Sequence, residues 1–269
     1  MSQTRRAVGV LVSGAGTNLE SLLRACEGAD FPARVALVIS NRREAPALDI
    51  AQRYRIPALA MPQAVFGGDS QLRDRAIVQR MRDAGVALIV CAGYDRILSG
   101  EVLDAYPDAI LNVHPSLLPA FSGGMDAVED ALAHGVKVTG CTVQLLEPGT
   151  TDGGPIVLQA AVNVEPDDDV ESLRQRIHEQ EWKLLPMAVE LWCTGRLRRE
   201  GRIVRIAAEP RAAGDAAGGS ADGSAGGAPR LRGDEGAEAV GSPRSRPGGV
   251  PAKAGPAAPS TAPPAVGTQ

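Results

Sequence analysis

Asn112 and His114 lie two residues apart at the end of an apolar run that reads AILNVHPSLLPAF (109–121). On a β-strand such residues leave the same face of the sheet, so Asn112 and His114 point together while Val113 points into the opposite layer. Pro115 has no backbone N–H and stops the strand at the histidine. An amide and an imidazole can stabilise charge that develops on a carbonyl oxygen, and the imidazole can move a proton. An isolated His is more often structural, but the neighbouring amide favours catalysis here.

A glycine turn, SGAGTNLE (13–20), follows the first apolar run and opens a helical pattern. Free N–H groups at a helix start favour an anion, and glycine lets the backbone approach it. The turn is neither a dinucleotide fingerprint, since Leu19 stands where the third glycine is required, nor a Walker loop. It suits a single phosphate, with Thr17 and Asn18 as side-chain donors. A plain helix N-cap at Thr17 or Asn18 is an equally open interpretation.

Asp152 stands in a second glycine-rich segment, GTTDGGPIV (149–157), just before another strand pattern. A carboxylate beside a catalytic histidine would set its tautomer and keep it charged. An aspartate that merely forms a turn with Gly153 explains the segment equally well. Spacing along the chain does not bring Asp152 to His114.

The elements that must position these residues alternate between short apolar strands and amphipathic helices. Four strands are predicted first, at 7–14, 34–40, 86–93 and 109–114. Helices are predicted at 18–28, 47–55, 69–85, 126–135 and 169–195, the last with a kink before Pro186. A late strand pair at 137–147 and 155–165 and a short strand or hairpin at 196–206 complete the pattern.

Strands that are apolar on both faces, with helices between them, predict a doubly wound α/β fold. Its sheet is mostly parallel, with an antiparallel addition near the C-terminal end. Ligands of such sheets bind at the carboxyl ends of the strands. This rule nominates the positions after Ser13, Gly93 and Val113.

Composition divides the 269-residue chain in two. Residues 208–269 are dominated by Gly, Ala, Pro and Ser and contain no aromatic residue. Such a segment cannot bury enough apolar surface to offset its conformational entropy, so a disordered tail is expected rather than a second folded domain. Residues 1–207 are then expected to form one domain with a sizeable core.

Charge and composition disfavour several classes of partner. The net charge is only −4 and basic residues form no stripe with aromatics, so nucleic acid is not expected as a ligand. Apolar runs fall short of the roughly 18 residues of a membrane span. The four cysteines are far apart, which is typical of a reduced, cytoplasmic protein, and no His/Cys cluster suggests a metal.

Six motifs, in order, resemble those of the folate-dependent phosphoribosylglycinamide formyltransferases of purine synthesis. They read VSGAGTNLE, AGYDRIL, LNVHPSLLPAF, GVKVTGCTV, TDGGPIVLQ and QEWKLLP, and the resemblance covers about residues 6 to 200. NVHPSLLP with a later DGGP is specific to the wider formyl-transfer family, and SGAGTNL favours the glycinamide ribonucleotide enzymes. The resemblance implies a Rossmann-like formyltransferase fold.

The resemblance also implies a role for each matching position. Asn112, His114 and Asp152 would be the catalytic group, with Ser116 fixing their loop. The implied binding residues are Gly16, Thr17 and Asn18 for the substrate phosphate, Glu181 for the nucleotide substrate, and Asp95, Arg96, Ile97, Leu98 and Asn112 for the folate.

The implied reaction transfers the formyl group of 10-formyltetrahydrofolate to the amine of glycinamide ribonucleotide, without a metal. Asn112 and protonated His114 would stabilise the tetrahedral oxyanion, and Asp152 would keep His114 charged. The expected partners are these small molecules, and the expected protein is a cytoplasmic monomer or homodimer.

Several positions depart from the family pattern. Ser122 replaces a proline, one residue is added nearby, and Met125 or Asp126 stands where a histidine is expected. Gln144 replaces a common histidine, one further residue precedes Asp152, Asp95 replaces an apolar residue, and Ser70 stands where an arginine is frequent. All of these lie on the folate side or in the loop that carries Asp152.

Three alternatives remain. A formyltetrahydrofolate hydrolase would release formate without an amine acceptor, and a related formyltransferase would have an altered folate site. The tRNA formyltransferases are not among these alternatives, because they need an RNA-binding barrel that residues 208–269 cannot form. A non-catalytic nucleotide-binding homologue would keep the fold alone.

Overall fold

A computed structural model describes residues 4–208 of the chain. Its strands are β1 (Arg6–Val12), β2 (Ala33–Ser40), β3 (Ala58–Ala60), β4 (Leu88–Cys91), β5 (Ile110–His114), β6 (Val138–Leu145), β7 (Ile156–Asn163), β8 (Leu197–Glu200) and β9 (Ile203–Ile206). Its α-helices are α1 (Thr17–Glu27), α2 (Pro46–Arg53), α3 (Ser70–Asp83), α4 (Gly100–Ala105), α5 (Ala127–Ala133) and α6 (Val170–Cys193), with one 3₁₀ turn at Gln63–Phe66.

Within residues 4–208, nine strands form one sheet in the order β3-β2-β1-β4-β5-β6-β7-β9-β8. Neighbouring strands from β3 to β5 run parallel, and β6 and β7 then add on antiparallel to their neighbours. The β8–β9 hairpin closes the series, with β9 parallel to β7. The predicted mostly parallel α/β sheet with an antiparallel C-terminal addition is confirmed.

Helices cover both faces of the sheet, and its central strands β1, β4 and β5 are therefore buried. Val8, Val10 and Val12 pack in one core with apolar residues of α1, α2 and α6. Leu11 packs in a second core with residues of α3 and α4. Gly9 faces this second core, where an added Cβ would lie 2.2 Å from the Met81 sulfur and would force that side chain to move.

The differences from the predicted elements are confined to short segments and to one proline. β3, the 3₁₀ turn and α4 were not predicted, and the strand expected at 86–93 is only four residues long. The predicted kink before Pro186 does not interrupt α6, which continues to Cys193. The predicted hairpin at 196–206 is confirmed as β8 and β9.

The expected tail, residues 208–269, lies almost wholly outside the described residues. In residues 4–208, the helices are too short or too polar to cross a membrane. All four cysteines are free thiols. Burial raises the pKa of the Cys91 and Cys141 thiols to about 12, which keeps both protonated at neutral pH.

Candidate active site

Asn112 and His114 leave β5 on the same face, as the strand period predicts. In the sheet register, Asn112 lies opposite Gln144 and His114 lies opposite Thr142, both on β6. Val113 points the other way, into the core beneath α1 and α6. The end of β5 therefore presents the amide and the imidazole together at the carboxyl edge of the parallel strands.

His114 is buried, with 6% of its surface exposed, and both ring nitrogens face oxygen atoms. Its Nε2 lies 3.0 Å from the carbonyl oxygen of Phe121, and its Nδ1 lies 3.5 Å from Oδ2 of Asp152. A doubly protonated ring alone can donate to both oxygens, because a neutral ring has one N–H. The site thus provides two acceptors for an imidazolium.

Asp152 reaches His114 from the loop before β7, with its Oδ2 3.5 Å from Nδ1 of the ring. Its Oδ2 accepts a hydrogen bond from the backbone N–H of Gly123 at 3.0 Å, and its Oδ1 accepts one from Nε2 of Gln144 at 3.1 Å. The φ of Asp152 is +51°, a left-handed conformation that Asp tolerates better than most residues. The structure therefore brings His114 together with two residues of a distant part of the sequence, Gln144 and Asp152.

Asn112 is half-buried, and its side-chain amide makes no hydrogen bond to the described residues. It lines a cavity of about 400 Å³, here called the loop cavity. The walls of the loop cavity are the segment 93–98, the end of β5, the segment 123–125 and the loop 146–152. The Asn112 amide is consequently free to hold a carbonyl oxygen within this cavity.

All five residues expected to bind folate, Asp95 to Leu98 and Asn112, line the loop cavity. Ile97 is 76% exposed at its rim, whereas Leu98 is buried in the core beneath α3 and α4. Arg96 is half-exposed, with its Nε 3.5 Å from Oδ1 of Asp95. This wall combines apolar surface with one cation.

The carboxylate of Asp95 is bonded to the ends of β1 and β2. It accepts hydrogen bonds from Nδ2 of Asn41 at 2.7 Å and from Oγ of Ser13 at 3.0 Å, and it pairs with Arg42. Burial alone would raise the pKa of Asp95, but the hydrogen bonds from Asn41, Ser13 and Arg42 outweigh burial and lower it. Asp95 thereby ties the segment 93–98 to the neighbouring strands.

The glycine turn ends at Gly16, which is the N-cap of α1 in a left-handed conformation with φ +81°. A Cβ on Gly16 would lie 2.7 Å from the Cβ of Ala47, so glycine is required by both conformation and space. No side chain caps α1, so the alternative of Thr17 or Asn18 as a plain N-cap is wrong. The first N–H groups of a helix lack partners within that helix.

Asn18 and Glu181, which lie 163 residues apart, meet beside this turn. Nδ2 of Asn18 donates to Oε2 of Glu181 at 2.7 Å, and both side chains are buried. Burial raises the pKa of Glu181 to about 7, although the hydrogen bond from Asn18 opposes the shift. The Oδ1 of Asn18 is buried without a hydrogen-bond partner among the described residues.

The turn, Asn18 and Glu181 line a second cavity of about 240 Å³, here called the turn cavity. Arg174 and His178 of α6 also line it, and sequence reasoning missed both. Their spacing was a usable signal, since positions 174, 178 and 181 share one face of a helix. Burial, followed by the charge of Arg174, lowers the pKa of His178, which stacks on Trp182 with ring centroids 6.1 Å apart.

The two cavities lie against opposite faces of the sheet and share four wall residues, Gly93, Val113, Pro115 and Met125. The turn cavity lies on the side of α1 and α6, and the loop cavity lies on the side of α3 and α4. Their shared wall is the carboxyl edge of β4 and β5. In residues 4–208, acidic, His and Cys side chains form no group of three or more that could hold a metal ion.

Residues 6–189 match the family model described as formyl transferase. The chain belongs to the formyl transferase family. The matched range includes the end of β5, which carries Asn112 and His114.

Curated relatives and solved structures agree with this membership. The chain is 42% identical over 206 residues to the phosphoribosylglycinamide formyltransferase of Mycobacterium tuberculosis, covering 73% of this chain and 92% of the relative. It is 37% identical over 193 residues to the enzyme of that name from Haemophilus influenzae, covering 72% and 90%. The crystal structure of glycinamide ribonucleotide transformylase 1 from Symbiobacterium toebii is similar with a TM-score of 0.73 and 47% identity, covering 76% of this chain and 95% of that one.

Proposed function

We propose that the protein is a phosphoribosylglycinamide formyltransferase, which transfers the formyl group of 10-formyltetrahydrofolate to the amine of glycinamide ribonucleotide. The observation that carries this proposal is the pair of cavities with a shared wall at the end of β5, beside Asn112 and His114. Two small molecules that bind on opposite faces of the sheet can meet there. Relatives that carry this name match the chain over nearly their whole length.

Glycinamide ribonucleotide binds in the turn cavity. Its phosphate accepts hydrogen bonds from the N–H groups at the start of α1, at Gly16, Thr17 and Asn18, where the helix dipole favours an anion. Glu181 accepts a hydrogen bond from a ligand hydroxyl through the oxygen that Asn18 leaves available. The glycinamide amine then extends toward the shared wall.

The folate binds in the loop cavity. Ile97 and Leu98 provide apolar surface for its ring system, and Arg96 provides a cation for a carboxylate of its glutamate part. Asp95 contributes by holding this segment in place, since its carboxylate is bonded to Ser13 and Asn41. The formyl group lies near Asn112.

The free amine of the nucleotide attacks the formyl carbon, and the carbonyl oxygen becomes an oxyanion in a tetrahedral intermediate. The Asn112 amide and protonated His114 donate hydrogen bonds to this oxyanion. The bond between the formyl carbon and N10 then breaks, and its electron pair accepts a proton that the amine loses, transferred through water and His114. The products are formylglycinamide ribonucleotide and tetrahydrofolate.

Asp152 orients the ring of His114 for this mechanism, since the two side chains approach to 3.5 Å. Its Oδ2 faces Nδ1, so the other ring N–H is the one that serves the oxyanion. In the structure that N–H donates to the carbonyl of Phe121. The histidine exchanges this carbonyl for the oxyanion when the intermediate forms.

Formyl transfer from 10-formyltetrahydrofolate to glycinamide ribonucleotide, measured in steady state, tests the proposal. The expected result is turnover by the parent protein that His114→Ala nearly abolishes. A parallel reaction without the amine measures formate release. Formate at the transfer rate would instead identify a hydrolase, and nucleotide binding in a calorimetric titration without turnover would identify a non-catalytic homologue.

Several finer expectations stay predictions. These are the roles assigned to individual site residues, a metal-free reaction, a cytoplasmic location, and a monomer or homodimer. The transfer assay in buffer with a chelator addresses the reaction, and sedimentation addresses the oligomeric state.

A further inference from the structure

Gln144 lies beneath the loop that carries Asp152. It is fully buried on β6, directly opposite Asn112 in the sheet register. Cross-strand partners place their side chains on the same face. The Gln144 amide therefore lies on the catalytic face of the sheet, although it does not line the loop cavity itself.

The amide of Gln144 contacts the loop at two points. Its Nε2 donates to Oδ1 of Asp152 at 3.1 Å, and its Oε1 accepts the backbone N–H of Gly154 at 3.1 Å. A primary amide offers a donor and an acceptor at one end, so it satisfies both groups at once. An ionised carboxylate offers acceptors alone, and an apolar side chain offers neither.

The loop needs such an anchor because much of it is exposed. Residues 148–151 are exposed, and Asp152 has a left-handed backbone conformation. Gln144 bonds to Oδ1, which leaves Oδ2 of Asp152 directed at His114. Besides Gln144 and His114, the Asp152 carboxylate contacts one backbone N–H, that of Gly123.

We propose that Gln144 is a positioning residue that orients the Asp152 carboxylate toward His114 during formyl transfer. This inference rests on the proposed function for its effect on rate. Its structural part, the anchoring of the loop, stands on the two hydrogen bonds alone. Residues that orient metal ligands through hydrogen bonds typically change activity by about 10- to 100-fold when they are removed, and we expect an effect of this order here.

Gln144→Met removes both hydrogen bonds while keeping a similar volume. The expected result is a fall in kcat of about 10- to 100-fold with the KM of each substrate within about twofold, because orientation is lost and neither substrate contact is touched. In a double-mutant cycle with Asp152→Asn, the double variant should be no slower than Asp152→Asn alone. Effects that multiply would overturn the proposal.

Gln159→Met is the matched control. Gln159 is an exposed glutamine on β7 whose Nε2 donates to the Leu118 carbonyl and to Oγ1 of Thr142, away from Asp152. In a double variant with Asp152→Asn, the fold-changes in kcat of the two single variants should multiply, because Gln159 does not contact Asp152. The contrast between the two cycles separates positioning of Asp152 from a general loss of packing.

Gln144→Glu gives a second variant in case the methionine variant fails to fold. The introduced carboxyl group can still accept from Gly154, and it donates to Asp152 only when it is protonated. We therefore expect kcat, relative to wild type, to be low at pH 8.5 and to recover as the pH falls, because two adjacent carboxyl groups hold a proton more readily. A ratio to wild type that stays flat with pH would contradict the proposal.

Hydrogen exchange followed by mass spectrometry tests the anchor independently of turnover. In Gln144→Met, the peptide that contains Gly154 should exchange at least about tenfold faster, because its N–H loses its acceptor. In Gln159→Met it should not change. If Gln144→Met exchanges faster but the parent protein shows no formyl transfer, the proposed function is refuted and the anchoring of the loop by Gln144 is supported. If exchange in Gln144→Met is unchanged, the anchoring itself is refuted.

Discussion

Asn112 contributes a single amide to the proposed oxyanion site, and the structure leaves that amide without another partner among the described residues. It is positioned by the strand itself, since β5 is paired on both sides, to β4 and β6. An amide held by two neighbouring strands needs little reorganisation when charge develops.

Asn112→Ala should lower kcat by about 10² to 10³, the usual loss for one oxyanion donor, with small changes in KM. Steady-state kinetics of formyl transfer measure both constants. Asn163→Ala, at the exposed end of β7, is the control and should leave kcat within about twofold. A loss expressed mainly in KM would show that Asn112 binds substrate without acting in the transition state.

Glu181 is a buried carboxyl group with one hydrogen bond from a side chain, that of Asn18. Its pKa is about 7 in the folded protein against 4.5 ordinarily. Between these two values the folded state holds a proton that the unfolded state has released. Stability therefore falls as the pH rises through this window and is constant, for this group, above it.

Glu181→Gln removes that titration. Between pH 4.5 and 7, the free energy of unfolding of the wild type should fall by up to about 3 kcal/mol relative to that of the variant. One pKa unit corresponds to about 1.4 kcal/mol. Urea unfolding of both proteins at a series of pH values measures the difference. A difference that does not vary with pH in this window would contradict the raised pKa.

The residues of the site differ in how far sequence could predict them. The shared face of Asn112 and His114 follows from the strand period alone. The meeting of Asp152 with His114 does not, because it depends on how the loop folds back over Gln144. The helical period of α6 could have predicted Arg174 and His178, which share a face with Glu181. The Asn18–Glu181 contact could not be predicted in this way, because it joins two helices that are far apart in the sequence.

At the scale of the elements, the loop before β7 passes very close to the backbone at the end of β6. A Cβ on Gly154 would lie 1.8 Å from the carbonyl oxygen of Leu145, so the two segments cannot pack this way with any other residue. The close approach places Gly154 where its N–H reaches Gln144.

Gly154→Ala should displace the loop and move Asp152 away from His114. We expect kcat to fall by about 10- to 100-fold, the cost of misplacing a catalytic group by an ångström or less. Gly100→Ala is the control, since a Cβ there meets its nearest atom at an ordinary 3.4 Å in the first turn of α4. Similar kinetics for the two variants would argue against a tight loop.

The elements that sequence missed are short. β3 has three residues and α4 has six, too few for a period of apolar residues to be recognised. α6 contains Pro186 and nevertheless continues as one helix to Cys193, while a bend at the proline stays a prediction. Leu185, Ala188 and Val189 are fully buried in the core around the proline, and this packing outweighs the roughly 3 kcal/mol that a proline costs within a helix.

At the scale of the whole molecule, the sheet separates the two cavities except at one edge. Sequence predicted the layers and the carboxyl edge, since both follow from strand and helix periods. The division into two cavities could not be predicted, because it depends on α5, α6 and the segment 123–125 closing around the edge.

The division of the chain into a domain at 1–207 and a disordered tail at 208–269 stays a prediction, since 209–269 lie outside the described residues. If it holds, a chain that ends at residue 208 should fold by itself. Its kcat should lie within about twofold of that of the full chain, and its melting temperature should lie within a few degrees. Thermal unfolding and the transfer assay on both chains measure this. A chain that aggregates or is inactive would refute it.

The order of strands has a consequence for association between molecules. Within residues 4–208 the outer strands are β3, which is three residues long, and β8, which reads LRRE with its last three residues exposed. A short strand and a strand rich in charge are both poor templates for pairing with another chain. The interior strands are apolar enough to aggregate if they were exposed. The two edge strands, one short and one charged, disfavour the addition of a strand from another molecule.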